Sequence, residues 1–297
     1  MVESDKHAPE TSPADSAAAP VVPPDLAETV SRALDEDLQN GDLTASLIPE
    51  ATRSRARIVT REDAILAGRP YAEAVFRRLD SAARLDWFAT DGDPIRAGET
   101  VCEIEGAARA LLTAERTALN FLQTLSATAT AAARYVAAVA GTGCKILDTR
   151  KTLPGLRLAQ KYAVRCGGAR NHRTGLYDGI LIKENHITAA GSIAAAVSAA
   201  RRISSAVPVE VEVESLEELG QALEAGADII MLDDFSLADM AEAVARNRAH
   251  PRRARLEASG GVNLGTVGAI AETGVDYISV GGITKHIRAI DLSMRFE

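Results

Sequence analysis

Apolar and polar positions in the second half of the chain repeat one order: a short apolar run closed by charge or a glycine pair, then an Ala-rich stretch at helical spacing. The runs are 145–148 before Thr149-Arg150-Lys151, 179–182 before Lys183-Glu184-Asn185, and 228–232 before Asp233-Asp234. Two more are 256–258 before Ser259-Gly260-Gly261 and 277–280 before Gly281-Gly282, and 209–213 alternates Val with Glu. Between them, 192–203, 216–225, 237–249 and 264–273 predict helices. Strand and helix alternating at this spacing predict a parallel α/β barrel. Ligands of such barrels sit at the carboxyl ends of the strands, so the polar residues closing each run are expected on one rim.

The first half lacks that rhythm. Residues 25–37 predict a helix stopped by Gly41-Asp42, and 57–60 and 64–67 predict short strands before a helix at 70–79. Strands at 85–89 and 100–104 flank Asp91-Gly92-Asp93-Pro94, a strong turn signal. A long helix is expected over about 111–140, opening at Thr113-Ala114-Glu115 and breaking near Ser126. Arg116 is the odd residue on it, flanked by Leu112, Ala118, Leu119, Phe121 and Leu122; a surface pair with Glu115 or Glu105 would explain it blandly.

With 297 residues, 46% hydrophobic and 25% charged, the chain has the make-up of an ordinary globular protein of two domains or one large barrel. No apolar run approaches the roughly 18 residues of a membrane span. Residues 1–24, rich in Ala, Pro and Ser, lack the basic start and apolar centre of a signal peptide and predict a disordered tail. Cys102, Cys144 and Cys166 show neither metal spacing nor a disulfide framework, which fits a reducing cytoplasm; Cys166, beside Gly167-Gly168, is either a reactive thiol or a small buried residue.

Charge changes the picture more. From Lys145 to Lys183 nine Lys and Arg residues face only Asp148 and Asp178, within a chain of formal net charge -8. Such a cationic island points to a local anionic ligand. Aromatics make up only 4% and do not interleave with the basic residues, which argues against nucleic acid. Arg157, Lys161 and Arg165, at four-residue spacing, could instead form a solvated helix face. Arg150, Arg173 and Lys183, with His172 nearby, offer forked and point-charge donors suited to a ligand with more than one carboxylate. Alternation puts Glu210, Glu212 and Glu214 on one strand face, where they need cations or water. Glu212 and Asp233, on neighbouring strands, suit Mg²⁺ and a phosphorylated ligand, while Glu210 or Glu214 could serve only in ion pairs. The glycine pairs after the last two strands predict a phosphate cradle.

Together these stretches resemble the quinolinate phosphoribosyltransferases, also called nicotinate-nucleotide pyrophosphorylases (carboxylating). The resemblance rests on Asp148-Thr149-Arg150-Lys151-Thr152-Leu153-Pro154-Gly155, Asn171-His172-Arg173 and Ile182-Lys183-Glu184-Asn185-His186. It continues through 210–214, Met231-Leu232-Asp233, Ala258-Ser259-Gly260-Gly261 and Val280-Gly281-Gly282, and in the first half through 36–44 and 115–122. It spans about residue 25 to the end.

The resemblance implies transfer of phosphoribosyl from phosphoribosyl pyrophosphate to quinolinate with loss of CO₂, giving nicotinate mononucleotide and pyrophosphate in NAD biosynthesis. It implies an α/β fold of the type II phosphoribosyltransferases: an N-terminal α/β sandwich domain at 25–127, an open parallel α/β barrel at 128–283, and a segment at 284–297 returning to the first domain. It implies a homodimer with shared sites, Arg116 coming from the partner. Arg116, Arg150, His172, Arg173 and Lys183 would bind the quinolinate carboxylates, with Thr149 in the same substrate-binding set. Lys151 would face pyrophosphate; Glu212 and Asp233 would act on the ribose hydroxyls and Mg²⁺. Lys151, Glu212 and Asp233 form the implied catalytic set, and Ser259, Gly260, Gly261 and Gly281 would hold phosphate. Two alternatives stay open: a related transferase for another aromatic acid, and a phosphate-binding barrel lyase or isomerase using Lys183 as a Schiff base.

Overall fold

The computed structural model describes residues 20–297; residues 1–19, most of the expected tail, lie outside the described part. The N-terminal half contains α1 (Leu26–Leu38), a 3₁₀ turn (Ala45–Leu47), β1 (Arg53–Thr60), β2 (Ala64–Ile65), α2 (Arg69–Leu79), β3 (Arg84–Trp87), β4 (Pro94–Ile95) and β5 (Thr100–Ala107). In β1, Ala56 and Ile58 face the core while Arg55 and Arg57 face solvent, the period-two signature of a half-buried strand. β1 lies between β5 and the last strand of the chain, and β3 pairs with β5. Helices α1 and α2 contribute Val30, Leu34, Tyr71, Val75 and Phe76 to the hydrophobic core that includes Ala56, Ile58 and Ile104 of this sheet.

Helix α3 (Ala108–Ala138) then runs 31 residues without interruption. The expected break at Ser126 does not occur. Its buried Oγ accepts from Ala67 N–H at 3.0 Å and donates to Ala67 C=O at 3.2 Å, so the hydroxyl docks the loop before α2 instead of competing with the helix. The first two-thirds of α3, from Leu111 to Ala129, belongs to the N-terminal core, whereas Ala132 belongs to the barrel core. One rod thus serves two cores.

The barrel half runs β6 (Lys145–Leu147), α4 (Arg157–Cys166), β7 (Ile180–Ile182), α5 (Glu184–Ala190), α6 (Ile193–Ile203), β8 (Val209–Val213), α7 (Leu216–Ala225), β9 (Ile229–Asp233), α8 (Leu237–Ala249), β10 (Arg255–Ser259), α9 (Val267–Glu272), β11 (Tyr277–Ser279) and α10 (Gly282–Lys285). Ser192, Ser215 and Ser236 cap α6, α7 and α8 by accepting from the third residue on, which sets those starts. Helix α9 begins later than expected because Asn263 and Thr266 close a turn over Gly265.

The six strands pair in parallel in the order β6-β11-β10-β9-β8-β7. Leu147, Ile180, Glu210, Ile229, Glu257 and Tyr277, one from each strand, line a common cavity of about 40 Å³, so the sheet is rolled into a barrel. It stays open between β7 and β6, where Arg170 continues the ladder through its N–H to Ile146 C=O. Val209, Val211 and Val213 of β8 are buried in the barrel's hydrophobic core while Glu210, on the opposite strand face, lines the cavity, as alternation requires. Finally β12 (Leu292–Phe296) leaves the barrel and pairs antiparallel with β1.

Candidate active site

Each barrel strand delivers its predicted polar residues at its carboxyl end. Thr149, Arg150 and Lys151 follow β6, Lys183 follows β7, Glu212 lies near the end of β8, Asp233 closes β9, and Ser259 closes β10 beside it. Gly281 follows β11 so closely against the β6 loop that a Cβ there would meet Lys151 Cδ at 2.9 Å and Thr149 Oγ1 at 3.5 Å. Gly260 has φ +94°, and a Cβ on it would strike Asp234 Oδ1 at 2.0 Å. Only glycine fits that turn. The parallel topology therefore gathers the lysine, hydroxyl and glycine positions on one rim.

What holds the rim in shape lies beneath it. Asp148 is fully buried and accepts from Lys161 Nζ at 2.5 Å, Asn171 Nδ2 at 2.7 Å and His172 N–H at 2.8 Å. Lys161 also donates to His172 C=O at 2.9 Å. Burial pushes Asp148 up and Lys161 down, both toward neutrality; their mutual attraction and the extra donors offset that. Arg157 donates to Thr152 Oγ1, Thr174 C=O and Arg150 C=O, binding the same two loops together. The solvated-face reading fails for Lys161 and Arg157: both are struts. Gln160, also on α4, is buried, accepts from Leu153 N–H and donates to Thr284 C=O, while Thr284 Oγ1 donates to Lys151 C=O. Sequence reasoning missed Gln160 and Thr284; their only signal is a polar residue at a helix position that must face inward.

Positive charge gathers on one part of the rim. Burial and the neighbouring Arg150 charge both push the Arg173 guanidinium down, so two cations are held against each other. Arg173 Nη1 donates to Gly179 C=O at 3.2 Å, and Arg150 Nε is buried with no hydrogen-bond partner. Lys183 is half exposed and its ammonium pairs with Glu212 across the end of β8, so these two predicted residues meet directly. Glu214 is exposed. Arg116 is also exposed and makes no hydrogen bond or ion pair among the described residues; neither bland partner holds, since Glu105 pairs with Arg55.

His172 departs from the expected pattern. Its Nδ1 accepts from Arg173 N–H at 2.7 Å, and its Nε2 lies 3.0 Å from Glu210 Oε2 and 3.6 Å from Glu257 Oε2. Both ring nitrogens are therefore engaged inside the barrel, beneath the Arg150–Arg173 pair. Among the described residues, this trio is also the group of His, Cys, Asp and Glu side chains with metal-binding proximity; Glu212 and Asp233 do not join it. Glu257 went unread because it sits inside an apolar run, and that position was itself the signal.

All three cysteines are buried and unpaired, with burial pushing the Cys144 and Cys166 thiols up to about 12, so Cys166 is a packing residue. Among the described residues, no helix is long and apolar enough to cross a membrane.

Comparison with known proteins agrees with this geometry. Residues 42–126 match the family model "Quinolinate phosphoribosyl transferase, N-terminal domain", and 128–295 match the corresponding C-terminal domain. The chain is 42% identical over 274 residues to the nicotinate-nucleotide pyrophosphorylase [carboxylating] of Mycobacterium leprae, covering 90% of this chain and 95% of the relative. It is 43% identical over 260 residues to the probable enzyme of that name from Bacillus subtilis, covering 87% and 89%. The solved nicotinate-nucleotide pyrophosphorylase of Francisella tularensis is similar with a TM-score of 0.90 and 48% identity over 94% of this chain and 98% of that one. On both its sequence and its two-domain architecture, the chain belongs to the quinolinate phosphoribosyltransferase family.

Proposed function

We propose that the chain transfers phosphoribosyl from phosphoribosyl pyrophosphate to quinolinate and releases CO₂, forming nicotinate mononucleotide and pyrophosphate for NAD biosynthesis. The observation that carries this reading is the pair of neighbouring like charges at Arg150 and Arg173, with a buried Nε on Arg150 that has no hydrogen-bond partner among the described residues. Two like charges so placed are relieved by a ligand carrying two carboxylates on one face.

In this reading Arg150, Arg173 and Lys183 hold the two carboxylates and orient the pyridine nitrogen toward ribose C1. His172 keeps the Arg173 main chain in place from below. The nitrogen lone pair forms the new C–N bond as pyrophosphate departs with the bonding pair. Lys151, beside Thr149 and Gly281, receives the departing charge. The C–C bond to the adjacent carboxylate then breaks, CO₂ leaves, and the electron pair stays on a carbon stabilised by the neighbouring pyridinium until water supplies a proton. Positioning and fixed charge carry most of the acceleration.

Glu212 and Asp233 lie on adjacent strands outside the buried trio and are not sealed from water, which fits Mg²⁺, an ion that keeps waters and shares phosphate oxygens with one or two carboxylates. Bound there, Mg²⁺ would neutralise pyrophosphate charge. Glu212 and Asp233 themselves accept from the ribose hydroxyls, and Ser259, Gly260 and Gly261 donate to the 5-phosphate. The active unit is a homodimer in which the exposed, unpaired Arg116 reaches the carboxylate pocket of the partner. The buried free thiols fit a cytoplasmic setting.

The test is turnover. Carboxyl-labelled quinolinate with phosphoribosyl pyrophosphate and Mg²⁺ should release labelled CO₂ in step with nicotinate mononucleotide. Nicotinate, lacking one carboxylate, strands two charged donors at roughly 1.5–3 kcal/mol each, a loss of about two to four orders of magnitude. Equal turnover of the two acids, or product without CO₂, would overturn the assignment.

A further inference from the structure

Beneath the rim lies a group that the proposed chemistry does not use. Glu257 on β10 is 0% exposed, and neither of its carboxyl oxygens has a hydrogen-bond partner among the described residues. Glu210 on β8 is 4% exposed and leaves Oε1 unpartnered. Both carboxyls converge on the single Nε2 of His172, and Glu210 is the nearer at 3.0 Å. The other ring nitrogen cannot help, because a 2.7 Å contact from Arg173 N–H requires Nδ1 to be bare. One ring N–H therefore serves two carboxyls inside the barrel.

Two ionised carboxylates sharing one neutral imidazole in a buried interior is an unfavourable state, and the group relieves it by keeping a proton. The remaining neighbours supply no second cation at hydrogen-bonding distance. From β11 the Ser279 hydroxyl faces Glu257 without reaching hydrogen-bond geometry, and Tyr277 lies opposite it in register. From β6, Asp148 adds negative charge but is matched by Lys161. From the β7 side, Asp178 lines the same cavity and is occupied with Thr174 and Gly175 N–H, and β9 contributes the apolar Ile229.

We propose that Glu257 is a positioning residue for quinolinate: as an uncharged acid under His172, it keeps the barrel interior at a single negative charge and leaves Arg150 and Arg173 available to the two substrate carboxylates. The proposal rests on reading those arginines as the dicarboxylate pocket. Burial and the Glu210 charge push Glu257 up to about 8, consistent with an acid that stays protonated at neutral pH. Burial lowers His172 while the charges of Glu257 and Glu210 raise it, so the ring and the buried acid compete for one proton. Moving the proton from Glu257 to the ring leaves the net charge of the trio at minus one; the Arg173 contact at Nδ1 places it on Glu257. When that proton leaves, a second negative charge appears beneath the guanidiniums and opposes a dianionic ligand.

The experiment is calorimetric titration of quinolinate into the wild-type protein at about pH 8.5, in buffers of different ionisation enthalpy. Binding should take up a substantial fraction of one proton per site, and the KM for quinolinate should climb toward tenfold per pH unit above about 8 while the KM for phosphoribosyl pyrophosphate stays flat. Glu257→Gln, which keeps the shape of the uncharged acid, should turn over quinolinate at pH 7 within a few-fold of wild type. It should take up no proton and lose the alkaline rise. Binding and turnover without proton uptake in the wild type would overturn the proposal and leave the functional assignment standing, whether or not the variant folds. A folded Glu257→Gln protein that keeps the alkaline rise, or is inactive at pH 7, would also overturn it. Quinolinate that neither binds nor turns over would remove the functional assignment itself, and this inference with it.

Discussion

Replacing Lys161 by Met removes the ammonium under the rim while keeping most of the side chain's volume. The structure sets the magnitude. Asp148 is fully enclosed and would keep its bonds from Asn171 and His172, but it would lose the ammonium that ion-pairs with it at 2.5 Å, and His172 C=O would lose a donor. Removing one partner of such a buried pair costs about 3–5 kcal/mol, a large share of the roughly 5–15 kcal/mol that holds a domain folded. Urea unfolding followed by circular dichroism should show that loss at pH 7. The pH dependence has a definite sign. Without Lys161, the folded-state pKa of Asp148 rises further above its unfolded value, so the folded variant gains from protonation; its deficit against wild type should shrink as pH falls from 7 toward 5. Asp148→Asn combined with Lys161→Met should recover part of the loss, because the amide oxygen still accepts from His172 N–H. A single variant within about 1 kcal/mol of wild type, or a double variant no better than the single, would refute the view that this pair carries the rim.

Two further outcomes follow from features already described. Gly167→Ala should lower the melting temperature by several degrees, since its Cβ would lie 2.3 Å from Ala129 C=O and 2.7 Å from Ala132 Cβ where α4 meets α3; an unchanged melting temperature would mean the two helices part easily. Mixing inactive Arg116→Ala and Lys151→Ala chains should restore roughly a quarter of wild-type activity, because half of randomly exchanged dimers are mixed and one of their two sites is intact. No recovery after verified subunit exchange would place Arg116 outside the partner's site.

Much of the barrel was legible because each of its strands is a short apolar run with punctuation. Helices α7 and α8 span the bounds that their Ala-rich helical spacing predicts, with Ser215 and Ser236 capping their starts. The start of β1 was missed because its Arg-Ser-Arg alternation lacks apolar weight, although alternation with Ala56 was the usable signal. Ser126 misled because a hydroxyl in mid-helix signals a break only when it bonds within the helix, and here it bonds to Ala67. At the site, residues that meet a ligand at strand ends were readable from type and place. Residues that hold those ends were not. Lys161 and Arg157 have the spacing of a solvated face, and only the loop folded over them makes them struts. Glu257 is a single letter in an apolar run, and its meaning depends on His172 and Glu210 arriving from elements far away in sequence.

The pairing of β12 with β1 has a consequence for how the protein is made. Residues near 58 find their partners near 294, so this sheet is completed only after all six barrel strands between them have been made. Until those final residues are synthesised, β1 offers an unpaired edge beside its hydrophobic face, the kind of template on which nascent chains associate. Arg57, within the stretch that β12 will cover, and Arg55 just before it set positive charge against any second copy that approaches. During translation the strand's repulsion toward its own kind guards the seat that β12 will later fill.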